Sequence, residues 1–221
     1  MPDRRPLGIF GGTFDPVHFG HLRLAEEAIA ALGLAGVRWI PAGQPNLRDA
    51  PQVRAAQRLA MVRLAVAGNP RFEVDAAEVL AERASYTVTT LERLRQSDAC
   101  GSERPLVLLL GADAFAQLTD WHRWPQLFEL AHVAVALRPG CRVATSTWPA
   151  ALASAWQQRY RDETEVLTTA PAGHIVSFAM TQLDISATKI RALLSTRESI
   201  RYLLPDTLIA YIHDHHLYPE N

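Results

Sequence analysis

A chain of 221 residues is long enough for one domain with a full hydrophobic core and a small appendage. Its 48% apolar and 20% charged residues are those of an ordinary soluble globular protein, and a formal net charge of -1 gives no electrostatic reason to expect nucleic acid or an anionic membrane as a partner. No apolar run reaches the ~18 residues of a membrane span, nothing ahead of Leu7 reads as a signal peptide, and Cys100 and Cys141 lack motif spacing, so a cytoplasmic location is expected. Lys189 is the only lysine beside abundant arginine, a composition bias that deprives arginine number of functional meaning.

Leu7 to Phe10 read as a short buried strand, Gly11-Gly12 as a tight turn, and a helical pattern begins near Phe19. A Gly-rich loop between strand and helix turns backbone N–H groups and the positive end of a helix dipole toward one point, which suits a phosphate. His18 and His21, three apart on the first turn, put both rings on one face. Two imidazoles beside a phosphate-sized hole suggest phosphoryl or nucleotidyl transfer. A metal pair or a solvated helix face would give the same spacing, but a structural zinc needs further ligands and neither cysteine is near in sequence. Neither G-x-x-x-x-G-K-[ST] nor G-x-G-x-x-G occurs in the chain.

The first helix carries Leu22, Ala25, Ala28, Ile29 and Leu32 and stops at Gly33; Val37 to Pro41 are the second strand. Strand, helix, strand at this length is a βαβ unit, so a parallel sheet with a right-handed crossover is expected, its first loop at the carboxyl edge where open α/β sheets bind ligands. Ala42 to Gln52 form a polar loop, Val53 to Ala67 an amphipathic helix with Arg54, Arg58 and Arg63 between apolar residues, and Phe72 to Asp75 a third strand. A helix from Ser85 to about Gln96 would be capped by Ser85 or Thr87. Pro105 to Leu110 are the clearest buried strand, leading into Gly111-Ala112-Asp113, and Pro125 suits the start of a short helix through Leu130. His132 to Leu137 form a strand in which His132 reads as structural, Trp148 to Tyr160 a helix, and Glu165–Leu167 and His174–Phe178 short later strands. A strand-like Gln182 to Ile185 runs into Ser186 as N-cap, with Thr188 and Arg191 on the first turns, a second helix-start anion site. Tyr202 onward reads as a small helical tail, and His213, His215 and His216 as solvated.

The run from Gly11 to His21 resembles the Gly-Gly-Thr-Phe-Asp-Pro-x-His-x-Gly-His motif of nucleotidylyltransferases, specifically the bacterial nicotinate mononucleotide adenylyltransferases. Asp184 to Arg191 resembles the Ile-Ser-[Ser/Ala]-Thr-x-Ile-Arg motif of the same family, and the intervening motifs follow in the family's order. The resemblance implies an α/β fold with a Rossmann-like open parallel sheet, helices on both faces and a C-terminal helical tail: one domain over 1–221 with 186–221 as a helical subdomain. It implies transfer of the adenylyl group of ATP to nicotinate mononucleotide, giving deamido-NAD and pyrophosphate, with Mg²⁺ bound to ATP and no dedicated metal ligands. By the same resemblance His18 and His21 are catalytic, and Gly11, Gly12, Thr13, Phe14, His18, His21, Gly111, Asp113, Ser186, Thr188 and Arg191 bind ATP. The acceptor is implied at Arg48, Ser85, Tyr86, Thr87, Trp121, His122 and Arg138. Asn46 and Leu47 stand where the family usually has Pro-His, with the basic residue kept as Arg48. The alternatives are an adenylyltransferase for nicotinamide mononucleotide, pantetheine phosphate or another phosphate acceptor, and a nucleotide-binding sensor without chemistry. Oligomeric state stays open.

Overall fold

The computed structural model describes all residues except 1–4, 46–49, 82, 83, 85, 98, 99, 102, 141–144, 220 and 221. Among the described residues the strands are β1 (Leu7–Gly12), β2 (Gly36–Pro41), β3 (Phe72–Val74), β4 (Leu106–Gly111), β5 (His132–Leu137) and β6 (Ile175–Ala179). They form one sheet in the order β3-β2-β1-β4-β5-β6, with β1 to β4, β4 to β5 and β5 to β6 each paired in parallel. The helices are α1 (Phe19–Leu32), α2 (Ala55–Val66), α3 (Ala77–Leu80), α4 (Thr87–Gln96), α5 (Ala112–Ala116), α6 (Leu127–Leu130), α7 (Ala150–Arg159), α8 (Ala187–Ser195) and α9 (Asp206–Asp214). The expected parallel α/β sheet is therefore present. Its strand order reverses at β1, the place where open sheets of this kind take ligands beyond the strand's carboxyl end.

The chain forms two compact units, Met1–Phe10 with Ala25–Arg38 and Tyr86–Thr181, and Gly11–Leu24 with Trp39–Ser85 and Gln182–Asn221. In the first, Leu106 to Leu110 and His132 to Ala136 are buried without alternation, as expected for parallel strands covered on both faces. Arg95, in the last turn of α4, gathers the carbonyls of Leu130, Arg104 and Pro171 at 2.6 to 2.8 Å and so ties three connections together. His132 is fully buried and satisfied at both nitrogens: Nε2 lies 2.8 Å from the Ala170 carbonyl and Nδ1 accepts the His174 N–H at 3.1 Å. It is the structural histidine its position suggests. Phe115, Trp148 and Trp156 pack edge to face, and Trp156 stacks on Tyr160.

In the second unit α2 packs against α9, β3 and α3, with Phe14, Val17, Trp39, Met61, Val62, Leu208 and Ile212 buried. Three local expectations are corrected. Thr164–Thr168 is a 3-10 turn rather than a strand at Glu165–Leu167; the hydroxyls of Thr168 and Thr169 close it on the carbonyls of Glu165 and Val166 at 2.8 Å. Gln182 to Ile185 is irregular, with Gln182, Leu183 and Asp184 exposed, because no ladder holds it. Thr87 is the first residue of α4, not its cap, which falls on Tyr86 without a side-chain bond. The short α3 was not legible in the sequence; Asp75 opens it by accepting the Ala77 N–H at 2.9 Å. No helix among the described residues is long and apolar enough to cross a membrane.

Candidate active site

The geometry starts from α1. His18 precedes its first residue, and the His18 carbonyl accepts the N–H groups of His21 and Leu22, at 3.0 and 3.2 Å, so His18 caps the helix rather than riding on it. The two imidazoles stack with centroids 3.7 Å apart and planes at 30°. His21 Nδ1 accepts the His18 N–H at 3.3 Å, so a neutral His21 carries its proton on Nε2. His18 is buried, its Nδ1 without a hydrogen-bond partner among the described residues, and burial lowers its pKa to about 4; it is neutral at physiological pH. Phe14 sets its ring edge against His21 at 5.2 Å, from a backbone at φ 50°.

A side chain at residue 20 would place its Cβ 3.0 Å from His18 Nδ1 and 3.1 Å from Cε1, so the His18 ring would have to shift by a few tenths of an ångström. Gly20→Ala is expected to displace the His18 ring and cut turnover roughly tenfold or more, since small misplacements of reacting groups are costly. Steady-state kinetics checks it, and unchanged turnover would contradict the packing argument.

His18 and the buried His132, whose pKa burial likewise lowers to about 4, act on stability in the same sense. Unfolded, each takes a proton near the ordinary imidazole value of 6.5; folded, only near 4. Stability from this source is present above about pH 6.5 and is lost as pH falls toward 4. Urea unfolding from pH 7 to 4 should show the midpoint falling already between pH 6 and 5, above the ordinary carboxylate range; a flat midpoint there would contradict it.

Around the β1 loop the second unit brings together what the sequence held far apart. Asp15 is buried; its Oδ1 accepts the Tyr218 hydroxyl at 2.7 Å and its Oδ2 the Gln52 N–H at 2.9 Å. Its main-chain carbonyl accepts Arg191 Nη1 at 2.7 Å, while Arg191 Nη2 lies 3.4 Å from Thr188 Oγ1. Ser186 caps α8 by accepting the Lys189 N–H at 3.1 Å, as expected. The Gly11 to His21 motif and the Ser186 to Arg191 motif are therefore joined directly, guanidinium to loop carbonyl. Thr13 is held through its carbonyl by Arg58 Nη1 at 2.6 Å; Gly11 is exposed and Gly12 half-buried.

The first unit holds the other expected residues. Gly111 caps α5, and Asp113 is exposed on its first turn. Tyr86 and His122 meet ring to ring at 4.5 Å, Thr87 is half-buried at the start of α4, Trp121 is half-buried, and Arg138 is exposed after β5. Arg48, with Asn46 and Leu47, and Ser85 lie outside the described residues.

Sequence reasoning missed Asp15, Gln52, Arg58 and Tyr218 as partners. Arg58 shares a helical face with the buried Met61 and Val62, a signal available in the spacing. A sequence separation of 203 between Asp15 and Tyr218 left no local sign.

A Gly-rich loop after the first strand of an open parallel sheet, with stacked histidines at the helix that follows, is the arrangement of an α/β protein of the nucleotidyltransferase class. The comparisons agree. Residues 9–193 match the model of the family described as cytidylyltransferase-like. A protein of Dechloromonas aromatica named "probable nicotinate-nucleotide adenylyltransferase" is 63% identical over 213 residues, covering 96% of this chain and 97% of the relative. One of Acidithiobacillus ferrooxidans with the same name is 45% identical, covering 96% and 95%. The solved Plasmodium falciparum nicotinic acid mononucleotide adenylyltransferase complexed with NaAD superposes with a TM-score of 0.71 over 98% of both chains at 15% identity, a likeness of fold. The chain belongs to the cytidylyltransferase-like family and, within it, to the nicotinate-nucleotide adenylyltransferases.

Proposed function

We infer that the protein transfers the adenylyl group of ATP to nicotinate mononucleotide. A phosphate oxygen of the mononucleotide attacks the α-phosphorus, the bond from that phosphorus to the β-phosphate oxygen breaks, and deamido-NAD and pyrophosphate leave. The observation that carries this is the Arg191 guanidinium seated on the Asp15 carbonyl, which joins both phosphate motifs beside the stacked His18 and His21. The nucleophile is already anionic at neutral pH, so no general base is required, and the protein's work is positioning and charge stabilisation. His21 donates through Nε2 to the α-phosphoryl oxygens as charge grows there; neutral His18 holds the His21 ring by stacking and helps hold the triphosphate. Gly11, Gly12, Thr13 and Phe14 present the loop, while Ser186, Thr188 and Arg191 hold the outer phosphates. Gly111 and Asp113 serve the adenylate side, and Tyr86, Thr87, Trp121, His122 and Arg138, with Arg48 and Ser85, serve the acceptor.

Among the described residues no group of three or more His, Cys, Asp or Glu could hold a metal, and the Asp15 carboxylate is engaged by Tyr218 and Gln52. These residues build no cage for Mg²⁺; an ion carried by ATP would neutralise phosphate charge with phosphate and water ligands.

Pyrophosphate release measured with ATP and, in turn, nicotinate mononucleotide, nicotinamide mononucleotide and pantetheine phosphate tests the reading. Fastest turnover with nicotinate mononucleotide is expected. Preference for another acceptor overturns the choice of substrate, and ATP binding without release under any acceptor supports a sensor.

A further inference from the structure

We propose that Tyr218, near the carboxyl end of the chain, is a positioning residue for adenylyl transfer that acts through Asp15 on the histidine pair and Arg191. The inference rests on the adenylyl-transfer reading and deepens it.

Asp15 is a junction. Each carboxylate oxygen takes one donor from a different part of the chain: the Tyr218 hydroxyl at 2.7 Å, from the segment after α9, and the Gln52 N–H at 2.9 Å, from the loop after β2. Its carbonyl holds Arg191 of α8. Its sequence neighbour Phe14, in the left-handed region at φ 50°, sets the ring that borders His21. Tyr218 is itself buried and left-handed, at φ 58°, a conformation that a tyrosine adopts at a cost. The cost is met where it turns the phenol inward, while Leu217 is anchored by its N–H on the Ile212 carbonyl at 3.0 Å. Burial and the Asp15 carboxylate push the phenol's pKa far up, so Tyr218 remains an O–H donor. Without that O–H, a buried carboxylate oxygen loses its donor. Asp15 must then turn to find another, carrying with it the carbonyl on which Arg191 sits and the backbone that leads to His18.

Tyr218→Phe and replacement of Tyr218 by 3-fluorotyrosine, which keeps the O–H, are compared with the wild type. Expected for Tyr218→Phe is a folded protein whose kcat, with both substrates saturating, falls about tenfold, while KM for ATP changes less than about threefold. The 3-fluorotyrosine protein should keep the wild-type kcat. Nitrogen-15 spectra of the histidine rings give a readout independent of turnover: the His21 Nδ1 resonance, set by the His18 N–H, should shift in Tyr218→Phe and not in the fluorinated protein. Identical ring spectra and kcat in wild type and Tyr218→Phe overturn the proposal, as does a Tyr218→Phe chain that fails to fold, which would make the bond one of stability. A wild type without turnover would defeat the adenylyl-transfer reading instead, with the ring spectra still deciding the role of Tyr218.

Discussion

His21→Ala is expected to lower kcat for pyrophosphate release by about a hundred- to a thousandfold, the usual cost of removing one donor aimed at developing charge. The fold should survive, because His21 is only half-buried, at the start of α1. What is lost is the Nε2 donor, fixed in its tautomer by the His18 N–H and in its plane by the His18 ring and the Phe14 edge. KM for ATP should move far less than kcat, since an interaction made in the transition state appears in turnover. Single-turnover measurement at saturating ATP checks the split. Near-normal turnover would remove His21 from the chemistry.

Arg58→Ala is expected to be the most destabilising single change near the loop, by about 3–5 kcal/mol, a large part of what holds an ordinary domain together. Arg58 is 1% exposed, and its guanidinium donates to three carbonyls: Thr13 at 2.6 Å, Gly43 at 2.9 Å and Val53 at 3.2 Å. Each carbonyl would lose its charged donor, those of Val53 and Gly43 in buried surroundings. Burial pulls the arginine's pKa down and the Asp15 charge opposes this, so the cation is compensated where it lies. Gly43 cannot be replaced to fill the gap, because any Cβ there would collide with the Glu78 carbonyl. Lysine at 58 would restore a point charge but not the three-directional fork. Urea unfolding measures the loss; a change below about 1 kcal/mol would show that the three bonds contribute little net stability.

The sheet was legible because its signals are local. Leu106 to Leu110 and His132 to Leu137 are apolar runs bounded by turns, and the Gly11 to His21 and Ser186 to Arg191 segments carry their chemistry within one loop and one helical turn each. Where the structure departs from the sequence reading, the deciding groups lie elsewhere in the chain or compete locally. The Glu165–Leu167 strand yields to threonine hydroxyls that close a turn. Arg58, read only as one of the arginines between the apolar residues of an amphipathic helix, turns inward because three loop carbonyls need a donor. Tyr218 finds Asp15 only once α9 has docked on α2, a long-range event that no window of sequence reports.

On the proposed function, the opening at His18 to His21 and the opening at Ser186 to Arg191 hold the same triphosphate. Crystals grown with a non-hydrolysable ATP analogue test it most directly. The α-phosphate is expected within hydrogen-bond reach of His21 Nε2, and the outer phosphates on Arg191 and the first N–H groups of α8; a triphosphate seated away from either group would contradict the shared site.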